Sequence, residues 1–516
     1  MSYRKRILIG FGAILLLGAL FLVSEHVRGR QGLARWRTEA LARGEKLTLR
    51  ELIPAATPEQ NAFPALMAAA MHAGGSPDIV VSESSRFRFV APGKVISTLR
   101  QEQWRLSKDD AKSVGFTNIN WKMIAERLER MREPLAEARK AAAWPHFNAQ
   151  LNDSAGFMVR MSHLTRMKGL VQHLSAEAMV DLHQGRIPEA VDSMTAGLRL
   201  VKLLQEEPIV ISQLVAEAMA AIAWGGTWRA LDNSTLDDLQ LARLQAAWEE
   251  MEFMRATALG LEGERALFAK QMAMARNDLT RLDQQITTDY DDVMPSLGGT
   301  APSPSSEEIA EQLMKGTVTN GRRYVLLPLL RFAWLDFGEL RYNETMQQII
   351  DAHRNAAREG SGQSALKTAA RVEEELGKAT GLEVPRSRLR ALTIPALTKM
   401  TRNAARYEAQ KAMAIAAIAL HRHRLRHGRY PATLAALAPE FLPSVPRDFF
   451  DGAPLRYKLR DDGTFVLYSI SDNGVDDGGN ANPAKGDRPN LLNGLDLVWP
   501  TAATFEEIEE SSKTAK

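Results

Sequence analysis

The chain contains no cysteine among its 516 residues. This absence excludes disulfide bonds, zinc or iron–sulfur sites built on thiolates, and a cysteine nucleophile. An excess of charge of one sign is also missing, since 65 lysines and arginines stand against 62 aspartates and glutamates, a formal net charge of +3. Such a balance argues against nucleic-acid binding through a general basic field. We therefore predict no nucleic-acid partner.

Motifs of the common catalytic classes are missing as well. The sequence has no glycine-rich phosphate loop, no G-x-S-x-G turn and no paired catalytic carboxylates in a recognisable context. We predict that the protein is not an enzyme, with a hydrolase that uses an unrecognised site in the helical body as the minor alternative.

One long apolar run is present, close to the N-terminus. Residues 7–23 are 17 uncharged, almost wholly apolar residues that follow Arg4-Lys5-Arg6. This is the pattern of a signal peptide or of a transmembrane anchor. No small-x-small cleavage pattern follows, and no cysteine is available for lipidation, so we favour an uncleaved anchor. Long domains are translocated largely regardless of charge, whereas export of a short basic tail is unusual. We expect a single-pass protein of the inner membrane, with residues 24–516 outside the cytoplasm.

The chain is long enough for two or three domains. Its hydrophobic periodicity predicts a mainly α protein with a helical-bundle or αα-hairpin body and a small C-terminal α+β domain with a short antiparallel sheet. The predicted segments are an anchor (1–27), a juxtamembrane region with short strands (28–100), a helical domain (101–288), a linker (289–306), a helical region (307–395), the α+β domain (396–500) and a polar tail (501–516).

Four sequence features between the apolar run and the C-terminal region support this division. Residues 175–204 read as two helices joined at Gly185 and resemble one tetratricopeptide unit; no second copy follows at a 34-residue step, which favours an αα-hairpin in a larger bundle. Residues 79–96 alternate in part and predict short strands. Ser234 with Asp237 predicts a capping box that opens a helix over about 235–287. Residues 324–337 are apolar but short and charged, which indicates a buried or interface helix.

The C-terminal part follows a further helix, predicted over 391–427. This helix ends at His427-Gly428, and Pro431 prevents its continuation. His423 and His427 lie four residues apart, but arginines surround them, so we interpret them as a basic helix terminus rather than a metal site. Strands are predicted at 456–459 and 464–468 around an Asp-Asp-Gly turn.

Three motifs occur in order in this region: the Gly-Arg-Tyr-Pro step at 428–431, the segment RDFFDGAPLRY at 447–457, and the loop SISDNGVDDGG at 469–479 with a late Asp496. Together they resemble the soluble part of a major pseudopilin of type II secretion. Phe449 and Phe450 depart from the proline and tryptophan of that family, and Asp451 is additional. The resemblance implies a pseudopilin-like fold for residues 396–500.

In pseudopilins the corresponding loop binds calcium. The resemblance therefore implies a Ca²⁺ site made by Asn473, Asp476, Asp477 and Asp496. Hard oxygen ligands in a tight loop suit this ion. Asn473 in place of an aspartate lowers the ligand charge, so we expect weak binding. The alternative is an Asn/Asp/Gly loop whose side chains cap its own turns.

Processing signals of a pseudopilin are missing, because Leu15 and Leu16 stand where the family has a glutamate after its Gly-Phe site. The layout of the whole chain also resembles large membrane-anchored proteins of planctomycete and verrucomicrobial type bacteria, a likeness that implies no activity. Our leading hypothesis is a non-enzymatic envelope protein whose terminal domain contacts unidentified envelope proteins. The rival is a tetratricopeptide-like scaffold in which that domain is only structural.

Overall fold

The computed structural model describes residues 3–85, 88–106, 108–152, 161–233, 236–277, 327–378, 380–381, 383–485, 490–491 and 493–514. The predicted linker 289–306 and Ser234 of the predicted capping box lie outside these residues. The described part is mostly helical, with small sheets, as the sequence predicts.

Helix α1, Tyr3–Ala42, contains the N-terminal apolar run. Two described helices are long and apolar enough to cross a membrane. The first lies in α1, where none of the most apolar window is buried, so this helix is a candidate membrane anchor or signal sequence. The second is α10, Val210–Asn233. In this helix 67% of the most apolar window is buried, so it has the character of a core helix.

The next part of the chain forms short elements around one edge of the body. The helices are α2 (Leu49–Leu52), α3 (Phe63–His72), α4 (Ile79–Ser85), α5 (Lys108–Val114), α6 (Trp121–Glu129) and α7 (Arg132–Ala141). The strands are β1 (Phe89–Ala91), β2 (Lys94–Val95), β3 (Gln103–Arg105) and β4 (Asn118–Asn120).

The short strands predicted within 79–96 form only in the second half of this stretch, and the first half is helix α4. Asp78 accepts a hydrogen bond from the Val81 N–H at 3.0 Å, which caps the start of this helix. Val80 and Val81 are both fully buried, so tertiary packing overrides their β propensity. Only β1 and β2 in the second half pair as a hairpin.

The central bundle begins with α8 (His163–His183) and α9 (Ile187–Leu204), followed by α10, α11 (Asp238–Glu249) and α12 (Phe253–Asn277). The αα-hairpin is confirmed, and Gly185 has the positive φ of +75° that its turn requires. In its described part, 236–277, the predicted helix over 235–287 is instead two helices; residues 235 and 278–287 lie outside the described residues. The break frees the Met254 N–H, which donates to the Glu408 carboxylate at 3.0 Å. Asp237 caps α11 together with Gln240.

Three further helices complete the body: α13 (Leu327–Glu359), α14 (Gln363–Gly377) and α15 (Glu383–His427). Helix α15 is 45 residues long and continues through Pro395, across the boundary expected at 395/396. Its alanine-rich part is buried between α10, α11 and α12 on one side and the C-terminal sheet on the other. Small side chains allow the neighbouring helices to approach closely, so this helix forms the centre of the molecule.

The C-terminal sheet consists of β5 (Arg456–Leu459), β6 (Phe465–Ser469) and β7 (Leu497–Val498), all antiparallel. The predicted hairpin is confirmed. After it, β8 (Thr501–Ala502) pairs in parallel with β2, and α16 (Phe505–Thr514) follows. The predicted polar tail is therefore attached to the N-terminal half in its described part.

The C-terminal region shares one hydrophobic core with the helical body. The rings of Trp224 on α10 and Trp499 meet edge to face, with centroids 5.1 Å apart. Trp228 Nε1 donates to the Pro500 carbonyl at 2.8 Å. A deletion of residues 396–500 would therefore remove part of the core, and point substitutions are the better probes of this region.

Candidate functional sites

The Gly-Arg-Tyr-Pro step joins α15 to the sheet. Gly428 has a φ of +74°, which ends the helix and turns Tyr430 back along it. The Tyr430 hydroxyl lies 3.1 Å from His421 Nε2, and its ring meets Phe465 edge to face at 4.9 Å. Burial lowers the pKa of His421 to about 3, so this imidazole is neutral at physiological pH. The step is a packing junction between helix and sheet.

The two histidines at the end of α15 contact protein groups. His423 Nδ1 lies 2.9 Å from the Arg429 carbonyl oxygen. His427 Nε2 lies 3.4 Å from a carboxylate oxygen of Glu440, which also accepts a hydrogen bond from Arg426 at 2.6 Å. These contacts suit the expected basic helix terminus.

A fully buried carboxylate, Asp448, organises the second motif. It accepts hydrogen bonds from the Phe450 N–H at 3.0 Å and the Ile470 N–H at 2.8 Å, as well as from the Ser469 hydroxyl. Arg456 donates to it at 2.9 Å. Burial raises the pKa of Asp448, while the hydrogen bonds oppose that shift. Asp448 thus ties the second motif, 447–457, to the end of β6.

The four predicted calcium ligands lie around the acidic loop, but their side chains have protein partners. Asn473 Nδ2 donates to Asp477 Oδ2 at 2.8 Å. Asp476 accepts from the Tyr468 hydroxyl at 3.0 Å. Asp496, only 1% exposed, accepts from the N–H groups of Asp477, Gly479 and Asn480 at 3.4, 2.7 and 3.1 Å. The structure therefore brings Asn473 to Asp477, and Asp496 to the backbone of the loop.

This donor set fits a calcium ion only in part. Backbone N–H groups that point at Asp496 present positive dipole ends beside the oxygens that would bind the cation. Within the described residues, no group of three or more His, Cys, Asp or Glu side chains is arranged to hold a metal ion. Burial raises the pKa of Asp496, and the three N–H donors oppose that shift. Calcium binding stays a prediction, and loop closure by Asp496 is what the geometry provides.

A second site joins α1 to the body, immediately after the apolar run. Glu25 is 1% exposed. It accepts two hydrogen bonds from Arg386 at 2.7 and 2.8 Å and one from Trp334 Nε1 at 3.1 Å. Next to it, the ring of His26 stacks on Phe332 with centroids 4.8 Å apart. Sequence reasoning missed this site, because the partners are more than 300 positions away.

Further ion pairs continue along the same helix. Arg37 pairs with Glu339, which is fully buried and also binds Arg276. Between these pairs, Gly29 and Gly32 allow close approach, since a methyl group at either would come within 3 Å of the Phe337 or Leu340 side chain. The second half of α1 is thus packed and paired along α13.

A cluster of ion pairs around Glu45 follows the end of α1. Glu45 accepts hydrogen bonds from Arg354 and from Arg265, whose side chain is 1% exposed. Burial opposes ionisation of Glu45, but these two arginines lower its pKa to about 2. Because every charge has a partner, the cluster fixes the end of α1 to α12 and α13.

A surface groove of about 760 Å³ lies beside α6 and the end of α8. The rings of Trp121 and His183 stack in it with centroids 4.7 Å apart, and Glu102, Lys122 and Glu126 line its rim. It combines two aromatic rings with charges of both signs.

Comparison with family models, curated proteins and solved structures gives no match for this chain.

Proposed function

We propose that this chain is a membrane-anchored, non-enzymatic protein of the cell envelope, held in the inner membrane by residues 7–23, with an extracytoplasmic body. The observation that carries the proposal is the burial of Glu25, two positions after the apolar run, against Arg386 and Trp334. A cleaved signal peptide leaves the mature chain, whereas here helix α1 continues from the apolar run into the body, where Glu25 is buried.

Removal of Glu25 would take away the bidentate partner of Arg386, whose side chain is 14% exposed, and would leave Glu383 as its remaining carboxylate partner. Loss of hydrogen bonds to a charged group costs roughly 1.5–3 kcal/mol. Retention of α1 through Glu25 avoids that cost. A reporter that is active only outside the cytoplasm, fused after Lys516, should be active; an inactive reporter with a stable fusion protein would reject the extracytoplasmic placement.

The terminal region supplies the contact surface in this proposal. Its helix is buried, so a partner would meet the acidic loop, where Val475 is 55% exposed between Asp472 and Asp476. An exposed apolar side chain among carboxylates suits a partner surface with basic and apolar residues. Ca²⁺ bound to this loop would reduce its negative charge and weaken such a contact.

The groove at Trp121 and His183 favours a second candidate, the scaffold in which the helical body binds the partner. Crosslinking in native membranes distinguishes the two. Val475→Ser combined with Asp477→Lys should abolish the crosslinked species of the wild type, whereas Glu126→Lys at the groove should leave them unchanged. The opposite result would favour the scaffold, and retention of all species in both variants would reject both surfaces.

A further inference from the structure

Three helices of the body meet at one level, where the apolar run of α1 ends. His26 Nδ1 lies 2.7 Å from the Phe332 carbonyl oxygen at the start of α13. Glu25 binds Arg386 near the start of α15. Farther along α1, Gly29 faces Phe337 on α13. Residues farther along α1 contact residues farther along α13, so the two helices run parallel. The first turn of α13 therefore lies level with the last turn of the apolar run.

Apolar side chains at this level are exposed. Val23 is 48% exposed, Leu329 37%, Phe332 46% and Val384 49%. They come from all three helices and lie near the level at which the apolar run ends. We call these four residues the apolar rim.

Charges close to the apolar rim have partners within the protein, including the more exposed Glu383 and Arg28, which pair with Arg386 and Glu25. Arg331 donates to the carbonyl of Arg276 in the body. Glu25 and Arg386 neutralise each other, and both are largely buried. The indole N–H of Trp334 donates a hydrogen bond to Glu25. The cost of placing this end of the body against hydrocarbon is therefore reduced, because its strongest polar groups already have partners.

The apolar run is too short to fill the membrane by itself. Seventeen helical residues extend about 26 Å at 1.5 Å per residue, whereas the hydrocarbon core is about 30 Å thick. Apolar surface just beyond the run would make up the difference. The apolar rim begins at the last turn of the run, with Val23, and reaches Phe332, which lies level with His26 beyond the run.

We infer that the apolar rim enters the bilayer interface, so that the body binds the lipid surface directly in addition to its anchor. This inference rests on the proposed retention of the anchor. Continuity with the apolar run indicates lipid as the occupant. Coverage by a protein partner or by a second copy of this chain is a different outcome of the same test.

The lack of native cysteine permits a direct measurement. The full chain carries one spin label at a time, at Leu329→Cys, Phe332→Cys or Val384→Cys, in nanodiscs of phosphatidylethanolamine and phosphatidylglycerol. Collision rates with oxygen, which concentrates in lipid, and with a water-soluble nickel chelate report the surroundings of each label. Leu15→Cys in the apolar run is the lipid reference, and Leu239→Cys, 72% exposed on α11, is the aqueous reference.

The three rim labels should show oxygen-to-nickel ratios above that of Leu239→Cys and close to that of Leu15→Cys. Ratios equal to that of Leu239→Cys, with Leu15→Cys in lipid, would overturn this inference alone. An aqueous Leu15→Cys would overturn the retained anchor as well. Rim labels shielded from both reagents would indicate a protein cover and would also overturn it. Each rim position is already more than a third exposed, so a failure to fold at one leaves the other two as tests.

Discussion

Glu217 should make the folded body lose stability as the pH rises. It lies on α10, which passes for a membrane span by length and composition but is a core helix. The side chain is 4% exposed, and its Oε1 has no hydrogen-bond partner within the described residues. Burial raises the pKa of Glu217 from 4.5 to about 8. The carboxyl is therefore mostly protonated in the folded protein at neutral pH.

The sign of the effect follows from proton linkage. Above pH 4.5 the unfolded chain releases a proton that the folded protein retains, so stability from Glu217 is complete below pH 4.5 and is lost as the pH rises to about 8. At about 1.36 kcal/mol per pKa unit, integration from pH 5 to pH 8 gives a loss on the order of 3 kcal/mol. Glu217→Gln keeps the side-chain size and removes this titration.

The assay is urea unfolding of the full chain in detergent micelles, followed by tryptophan fluorescence from pH 5 to pH 8. The difference between Glu217→Gln and wild type should shift in favour of the variant by about 3 kcal/mol across this range. Glu126→Gln, whose side chain is 63% exposed, should follow the wild type in parallel. A parallel profile for Glu217→Gln would refute the conclusion that burial controls this carboxyl.

Three further predictions concern the anchor and the loop. Glu25→Ala should cost roughly 1.5–3 kcal/mol of unfolding free energy, since Glu383 still pairs with Arg386, against less than about 1 kcal/mol for Glu126→Ala in an exposed pair, as measured by urea unfolding; equal losses would contradict the buried pair. Gly29→Ile should lower the melting temperature because its side chain meets α13, whereas Gly18→Ile should not, and the reverse order would contradict the docking. Asp496→Asn should lower the melting temperature equally with calcium and with chelator; a loss seen only with calcium would instead establish Asp496 as an ion ligand.

Local sequence signals predicted the elements with strong local causes. The turn at Gly185 and the hairpin at 456–468 are confirmed, because glycine conformation and strand alternation act over a few residues. The prediction of short strands within 79–96 does not hold for its first half, and the prediction of a single helix over 235–287 is wrong within 236–277, because packing against distant elements decides both. Long-range partners could not be found from one sequence.

The candidate sites show the same division. The residues of the acidic loop are evident from composition. The three hydrogen bonds that Asp496 accepts from backbone N–H groups depend on the folded path of the loop. Glu25 resembles an ordinary charge after an apolar run, and only the fold places it against Arg386. A buried ion pair between positions so far apart leaves no local pattern.

The intact mass of the protein extracted from membranes shows directly whether the anchor is retained. We expect a chain of about 57.1 kDa that still contains residues 7–23 and Glu25. A mature chain that begins after Val23, recovered free of the membrane, would contradict it.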